Sequence, residues 1–89
     1  MNAYGVTFRP EAQKDLASLD RSTAQRILNK IKWLSENLGD AKPEALSANL
    51  KGFYKLRVGS YRAVYKINDE QETIIIFFVG HRREVYKRF

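Results

Sequence analysis

The sequence predicts an α+β domain in which a helix pair packs on one face of an antiparallel sheet. Three observations predict this class: helical apolar spacing up to Leu38, a strand-like period of two after Gly52, and a continuous apolar run at residues 73–79. With 89 residues, 44% of them hydrophobic, the chain can bury one compact core. We therefore expect residues 1–89 to form a single domain.

The N-terminal part of the chain predicts one strand followed by a helix. A half-buried strand is indicated by three apolar residues that alternate with small or polar ones, Tyr4, Val6 and Phe8. Pro10 suits the first position of a helix, because proline lacks the N–H that would stay unbonded there. The apolar stripe of this helix comprises Ala12, Leu16 and Leu19.

A second helix is predicted from Ser22 to Leu38. Ser22 and Gln25 have the spacing of a capping box, in which each side chain bonds a backbone N–H of the other residue. Gly39 is expected to end the helix. Trp33 lies off the apolar stripe, which favours an exposed position and contact with a partner. The stripe itself comprises Ala24, Ile27, Leu28, Ile31, Leu34 and Leu38.

The second half of the chain predicts a meander of three antiparallel strands. Lys42 and Pro43 before it indicate a loop, and residues 45–49 are ambiguous, with a helical turn as one option. The first two strands alternate, with one face apolar and the other carrying Lys55, Arg57 and Arg62. The third strand, residues 73–79, is apolar throughout, as in a central strand buried on both faces.

The composition excludes several kinds of chemistry. With no cysteine and one histidine, the chain cannot form disulfides, cysteine nucleophiles or ordinary zinc sites. It contains no P-loop or dinucleotide motif, and three of the four acidic residues after residue 50 share one turn, which does not suit two-metal catalysis. No run is long enough for a signal peptide or membrane span. We expect a cytoplasmic protein with no metal, no cofactor and no membrane partner.

The positive charge is concentrated after residue 50. Residues 1–50 contain seven Lys or Arg and six Asp or Glu, whereas residues 51–89 contain nine and four, within a net charge of +6. Such asymmetry favours a polyanionic partner, which could be nucleic acid, an anionic membrane or an acidic protein. A basic surface that serves only solubility fits the charge equally well.

Strand alternation gathers part of this charge into one candidate site. Adjacent strands bring Lys55, Arg57 and Arg62 together on one face, and the last strand and the tail can deliver His81, Arg82, Arg83 and Tyr86 to the same edge. Arginines stabilise charge that develops on phosphate oxygens. A tyrosine ring can stack on an unpaired base, and lysine or histidine can exchange a proton. The set suits phosphodiester cleavage without a metal.

Two stretches resemble the signature of the RelE/ParE superfamily of bacterial and archaeal toxins. These are residues 52–65, GFYKLRVGSYRAVY, and residues 79–86, VGHRREVY, at a fitting distance from each other. The resemblance covers essentially the whole chain and implies a RelE-type fold. It also implies a ribosome-dependent endoribonuclease that cleaves mRNA in the decoding site, where a 2′-hydroxyl attacks the adjacent phosphate and leaves a 2′,3′-cyclic phosphate.

The resemblance also implies roles for single residues. Lys55 matches the catalytic lysine of the family, and Arg57 falls where the family has a second lysine. Arg62 matches the arginine that supports the transition state, and Tyr86 matches the stacking tyrosine. The general acid stays open between two neighbours, Arg82 and His81.

Further cations are expected to bind RNA without taking part in the reaction, namely Lys51, Arg83 and Lys87. Purely structural interpretations remain for the main set: edge-strand charges for Lys55 and Arg57, an ion pair for Arg62, and packing for Tyr86.

The expected partners follow from the toxin interpretation. They are the ribosome, mRNA and a cognate antitoxin whose acidic, flexible segment folds along the toxin in a hetero-oligomer. Two rival functions share the fold. One is a ParE-like inhibitor of DNA gyrase that cleaves nothing, and the other is a non-catalytic RNA- or ribosome-binding domain.

Overall fold

The computed structural model describes residues 3–47 and 50–88 and confirms the α+β class. The helices are α1 (Pro10–Ala17), α2 (Arg21–Glu36), α3 (Leu38–Ala41) and α4 (Arg82–Val85), followed by a 3₁₀ turn at Tyr86–Arg88. The strands are β1 (Gly5–Phe8), β2 (Glu44–Ala45), β3 (Tyr54–Val58), β4 (Tyr61–Asn68) and β5 (Thr73–His81).

The strands form one mixed sheet in the order β1-β5-β4-β3-β2. The predicted meander is confirmed, because β3, β4 and β5 pair antiparallel in sequence order. The predicted N-terminal strand is also present and lies parallel to β5, with Val6 opposite Ile74. This parallel pairing makes β5 an inner strand of the sheet.

The segment between the helices and the meander differs from the prediction. Glu44 and Ala45 form a two-residue strand, β2, which lies antiparallel to β3 opposite Lys55 and Tyr54. A helical turn is therefore wrong at Ala45, and residues 48 and 49 lie outside the described part of the chain. The predicted meander thus gains an edge strand that the sequence pattern did not indicate.

The helix pair packs on one face of the sheet, as predicted. Three residues of the α2 stripe are no more than 2% exposed, because spacings of three and four place them on one side of the helix. Burial of each such side chain contributes about 1.5–3 kcal/mol. The core cluster joins the α2 residues Ile27, Ile31 and Leu34 to Ala12, Leu56, Tyr65, Ile74 and Ile76.

α2 begins and ends at residues other than those predicted. The helix is capped by Asp20, whose carboxylate accepts hydrogen bonds from the Thr23 N–H at 3.1 Å and from the Ser22 and Thr23 hydroxyls at 2.6 Å. Because an ionised acceptor forms stronger hydrogen bonds than a hydroxyl, Asp20 replaces Ser22 as the cap. At the other end, Gly39 lies inside α3, and Lys42 takes the left-handed conformation with φ of 50°.

The opposite face of the sheet, called here the outer face, is partly covered by α4. Val85 is 0% exposed and packs on Gly80, where an added Cβ would lie 3.6 Å from the Val85 Cβ. Val64 on β4 is also 0% exposed. The side chains of Ile75 and Phe77 on β5 are only half-buried. The prediction that this strand is buried on both faces is therefore wrong for its outer face. None of the described helices has the length and apolarity to cross a membrane.

Candidate active site

Lys55 and Arg57 lie on the outer face of β3 and share one carboxylate. The Lys55 Nζ is 3.3 Å from an oxygen of Glu44 on β2. Arg57 donates from Nε to one Glu44 oxygen at 3.1 Å and from Nη2 to the other at 2.8 Å. Pairing of β2 with β3 places Glu44 opposite Lys55, and alternation puts Arg57 on the same face. The two predicted site residues are therefore brought together.

The shared carboxylate changes the electrostatics of this pair. Hydrogen bonds from Arg57 and then Lys55 hold the pKa of Glu44 below its ordinary value, so the carboxylate is ionised at neutral pH. The hydrogen bond with Glu44 likewise raises the pKa of Arg57 above its ordinary value. Two positive side chains thus face one negative one, which leaves a single net positive charge at the centre of the site.

The tail brings Tyr86 to this pair. Its ring centroid lies 5.9 Å from the Lys55 Nζ, and the side chain is 38% exposed. The 3₁₀ turn that carries Tyr86 follows α4, which Val85 anchors to the sheet. A cleft of about 260 Å³ lies beside the ring and is lined by Leu46, Ser47, Leu50, Lys55 and Tyr86. The ring is therefore available to stack on a ligand next to Lys55.

Arg62 lies on the same face but is only 8% exposed. Its Nη1 donates to the carbonyl oxygens of Gly59 at 2.9 Å and Tyr61 at 2.8 Å. Gly59 has φ of 59°, a left-handed conformation that glycine adopts without strain. In this conformation of the protein, Arg62 holds the turn between β3 and β4.

Arg82 begins α4 close to that same turn. Its backbone N–H donates to the carbonyl of Ser60 at 2.8 Å, and its side chain is exposed. Arg82 is therefore tied to the β3–β4 turn by its backbone, while its guanidinium faces solvent.

His81 is placed differently from Arg82. It pairs with Tyr61 on the helix-facing side of the sheet, where the two rings meet edge to face at 5.7 Å. Its Nδ1 accepts the Arg83 N–H at 3.2 Å and so caps α4. The structure does not bring His81 to Lys55, and the imidazole acts here as a helix cap.

The predicted RNA-binding cations are exposed, and none of the described contacts joins them to Lys55 or Arg57. Lys51 is exposed in the turn before β3, and Arg83 is exposed on α4. Lys87 forms an exposed ion pair of 3.9 Å with Glu84, which contributes little to stability.

Glu44 is the site residue that the sequence analysis missed. A two-residue strand has no detectable period, and nothing near Pro43 marks this glutamate as special. The one available signal is pairwise: an acidic residue in the segment just before a strand whose outward residues are basic. Cross-strand pairs of opposite charge are favourable, so an acidic segment is a candidate to pair with the edge of a strand whose outward residues are basic.

Comparison with known proteins finds similarity to toxins of toxin–antitoxin systems. Residues 6–86 match the family described as the ParE toxin of the type II toxin–antitoxin system parDE. An Escherichia coli protein named as a RelE-like toxin is 36% identical, covering 89% of this chain and 83% of the relative. Toxin RelG of Mycobacterium tuberculosis is 34% identical, covering 96% and 98%.

Solved structures share the fold. A chain of the toxin–antitoxin complex RelBE2 from Mycobacterium tuberculosis superimposes with a TM-score of 0.82 and 30% identity, covering 94% of this chain and 97% of that one. The fold and the relatives define a toxin of a type II toxin–antitoxin system. The chain belongs to the RelE/ParE toxin superfamily, and its relatives by name are RelE-like.

Proposed function

We propose that this toxin is a ribosome-dependent endoribonuclease that cleaves mRNA in the decoding site. The observation that carries the proposal is the cluster on β3: Lys55 and Arg57 joined at one carboxylate, with the Tyr86 ring 5.9 Å from the Lys55 Nζ. Cations and an available ring are what a phosphate and its neighbouring base require. A toxin that acts on ribosomes works in the cytoplasm.

Glu44 marks where the scissile phosphate would bind. Arg57 bonds both carboxylate oxygens with its planar fork, and the same fork fits two phosphate oxygens. A bound phosphate therefore displaces Glu44 from Arg57 and takes over its two hydrogen bonds. The carboxylate then stays beside Lys55, where it balances the lysine charge.

The proposed reaction is a transesterification. The 2′-hydroxyl oxygen attacks the adjacent phosphorus, and the bond from phosphorus to the 5′-oxygen breaks. The hydroxyl proton passes to the Glu44 carboxylate, either directly or through Lys55 once the lysine has given its own proton to Glu44. Arg57 stabilises the negative charge that develops on the phosphate oxygens. The exposed Arg82 is the candidate that protonates or stabilises the leaving 5′-oxygen. The products are a 2′,3′-cyclic phosphate and a 5′-hydroxyl, and the charge stabilisation comes from side chains without a metal.

Tyr86 would orient the substrate. Stacking of a base on its ring holds the ribose in line for attack, and such a contact typically contributes about 1–3 kcal/mol per base. Lys51, Arg83 and Lys87 would steer the RNA backbone. In this scheme Arg62 is a positioning residue, because its hydrogen bonds keep the β3–β4 turn in place beside Arg82.

We also propose that an antitoxin holds this site inactive. Solved relatives include complexes of RelE toxins with RelB antitoxins from Escherichia coli and two archaea. Acidic side chains of a flexible antitoxin segment would pair with Lys55 and Arg57 and exclude the phosphate. The assembly would be a toxin–antitoxin hetero-oligomer.

The test maps mRNA 5′ ends on translating ribosomes. Wild type should produce cuts in phase with codons, and Lys55→Ala and Arg82→Ala should each lower the cleavage rate by about 100-fold or more. Lys32→Ala removes one exposed charge from α2 that has no described contact with the cluster, and this variant should cleave like wild type. Absence of codon-phased cleavage by wild type would refute the nuclease, and unimpaired cleavage by both site variants would refute the site.

Inhibition of DNA gyrase is the second candidate, because the matching family is described as a ParE toxin. A supercoiling assay with purified gyrase tests it directly. We expect no inhibition, since the paired cations and the exposed Tyr86 ring are features of an RNA site. Inhibition that survives Lys55→Ala, with no cleavage on ribosomes, would favour the gyrase interpretation.

A further inference from the structure

A groove leads from the candidate active site along the helix side of the β3 edge. Its first part encloses about 230 Å³ and is lined by residues that include Lys30, Trp33, Glu44, Lys55 and Arg57. Its second part encloses about 370 Å³ and is lined by Arg26, Asn29, Lys30, Trp33 and Val58. Lys30 and Trp33 line both parts, so this pair stands between them.

The edge of β3 is open towards this groove. β2 pairs only with Tyr54 and Lys55, so within the described chain no strand lies beside residues 56–58 on that edge. A polymer held by Arg57 on the outer face can therefore pass around the edge and continue towards Trp33.

Trp33 presents an indole ring in the groove. The side chain is 41% exposed, whereas the neighbouring Leu34 is buried in the core. The Lys30 Nζ lies 4.2 Å from the ring centroid, a cation–π contact that holds the ring and places a positive charge beside it. The ring is thus partly open to solvent and next to a cation.

The charge of the groove indicates the chemistry of its occupant. Five cations line it, with Glu44 as the acidic residue: Arg26, Lys30, Lys42, Lys55 and Arg57. Such a lining favours a polyanion. The first part of the groove also has apolar walls, whereas in the second part the apolar contribution comes from Trp33 and Val58 alone. A docked helix needs apolar contacts at successive turns, whereas a nucleotide needs one ring for its base and cations for its phosphates.

We infer that Trp33 is a stacking platform for a base of single-stranded RNA, on the opposite side of the scissile phosphate from Tyr86. The inference rests on the proposed function, because the same RNA strand has its phosphate at Lys55 and Arg57. One ring then grips a base on each side of the bond to be cut, and the Lys30 ammonium neutralises a phosphate of the nucleotide on Trp33.

Trp33 is the only tryptophan of the chain, so its fluorescence reports on the platform directly. The ligand is a 2′-O-methylated single-stranded RNA of about twelve nucleotides, which binds but cannot be cleaved. We expect saturable quenching of the Trp33 emission at low salt. An abasic strand of the same length carries the same phosphates without bases, and it should bind more weakly and leave the emission nearly unchanged.

Variants separate stacking from general electrostatics in an anisotropy assay with labelled RNA. Trp33→Ala should weaken binding by about 5- to 100-fold, whereas Trp33→Phe, which keeps a ring, should recover most of the affinity. Lys30→Ala should weaken binding more than Lys32→Ala, although each removes one positive charge from α2. Thermal unfolding of the tryptophan variants should match wild type, because the side chain lies at the surface.

Three results would overturn the platform. They are equal RNA affinity of Trp33→Ala and wild type, equal quenching by the abasic strand, or a blue shift with an acidic Glu- and Leu-rich peptide and no response to RNA. The last result would assign the groove to a protein partner. Cleavage on ribosomes that is indifferent to Trp33→Ala refutes only this inference, whereas RNA-dependent quenching by a protein that cleaves nothing refutes only the nuclease.

Discussion

The two faces of the sheet differ in what holds their side chains in place. On the helix-facing side, apolar residues of α2 and the strands pack together and are almost fully buried. On the outer face at β3, Lys55 and Arg57 are positioned by hydrogen bonds to Glu44, and Arg57 stays exposed. The helix-facing side is held by packing, whereas the β3 part of the outer face is held by charge.

Folding stability and ligand binding therefore depend on different parts of the sheet. Packing contributes free energy of folding through each buried methylene, whereas an exposed ion pair contributes little and can open for a ligand. A site held by an exposed carboxylate can exchange that carboxylate for a phosphate without disturbing the core. Substitutions on the two faces should therefore affect different measurements.

The largest expected effect on folding is on the helix-facing side. Ile31→Ala removes a side chain that is 2% exposed in the core cluster, which should lower the free energy of unfolding by about 2–5 kcal/mol. Urea denaturation measures this loss. Lys32→Ala, one residue along the same helix and exposed, should stay within about 0.5 kcal/mol of wild type. Equal stability of the two variants would remove the basis of the comparison.

Arg62 does not follow the difference between the two faces, because it lies on the outer face but is buried. Arg62→Ala leaves the Gly59 and Tyr61 carbonyls without their donor, and we expect a loss of about 1.5–3 kcal/mol in urea denaturation. Arg82→Ala, an exposed arginine beside the same turn, should retain wild-type stability. If Arg62→Ala unfolds like wild type and only cleavage is lost, Arg62 acts on the phosphate and not on the turn.

Glu44→Gln tests the charge-held face. The variant removes the negative charge from between Lys55 and Arg57, so RNA should bind a few-fold tighter at low salt. Single-turnover cleavage should fall about tenfold or more, because the amide cannot accept the 2′-hydroxyl proton and no longer pairs with the two cations. Glu36→Gln, an exposed acid at the end of α2, is the matched control. Tighter binding with undiminished cleavage would show that Glu44 only competes with the phosphate and takes no part in the reaction.

The parts of the fold with a long period could be predicted from the sequence. The α2 stripe and the alternation of β3 and β4 extend over enough residues for their spacing to indicate which side faces the core. The same alternation predicted that Lys55 and Arg57 share a face. The tail was expected to bring Tyr86 to the same edge, and the structure places its ring beside Lys55.

The remainder depends on tertiary contacts that no local pattern encodes. β2 has two residues and exists because β3 offers an edge, so Glu44 could not be placed in advance. α4 has four residues, too few for a helical period, yet its Val85 packs on Gly80, the β5 partner of the buried Arg62. The cap of α2 was decided by competition between two neighbouring acceptors, Asp20 and Ser22.

The smallest expected effect concerns Asp20 and is a change in how thermal stability depends on pH. Its hydrogen bonds with Ser22 and then Thr23 lower the pKa from 3.8 to about 2 in the folded protein. A lowered pKa stabilises the fold above the unfolded value, and this stability is lost as the pH falls from about 4 through about 2. Asp20→Asn keeps a capping oxygen but cannot titrate, so its thermal midpoint should fall less than that of wild type over this range. The other carboxylates are common to both proteins and cancel in the difference. Parallel curves would show that the cap does not depend on charge, and the helix-facing side would then owe its acid stability to packing alone.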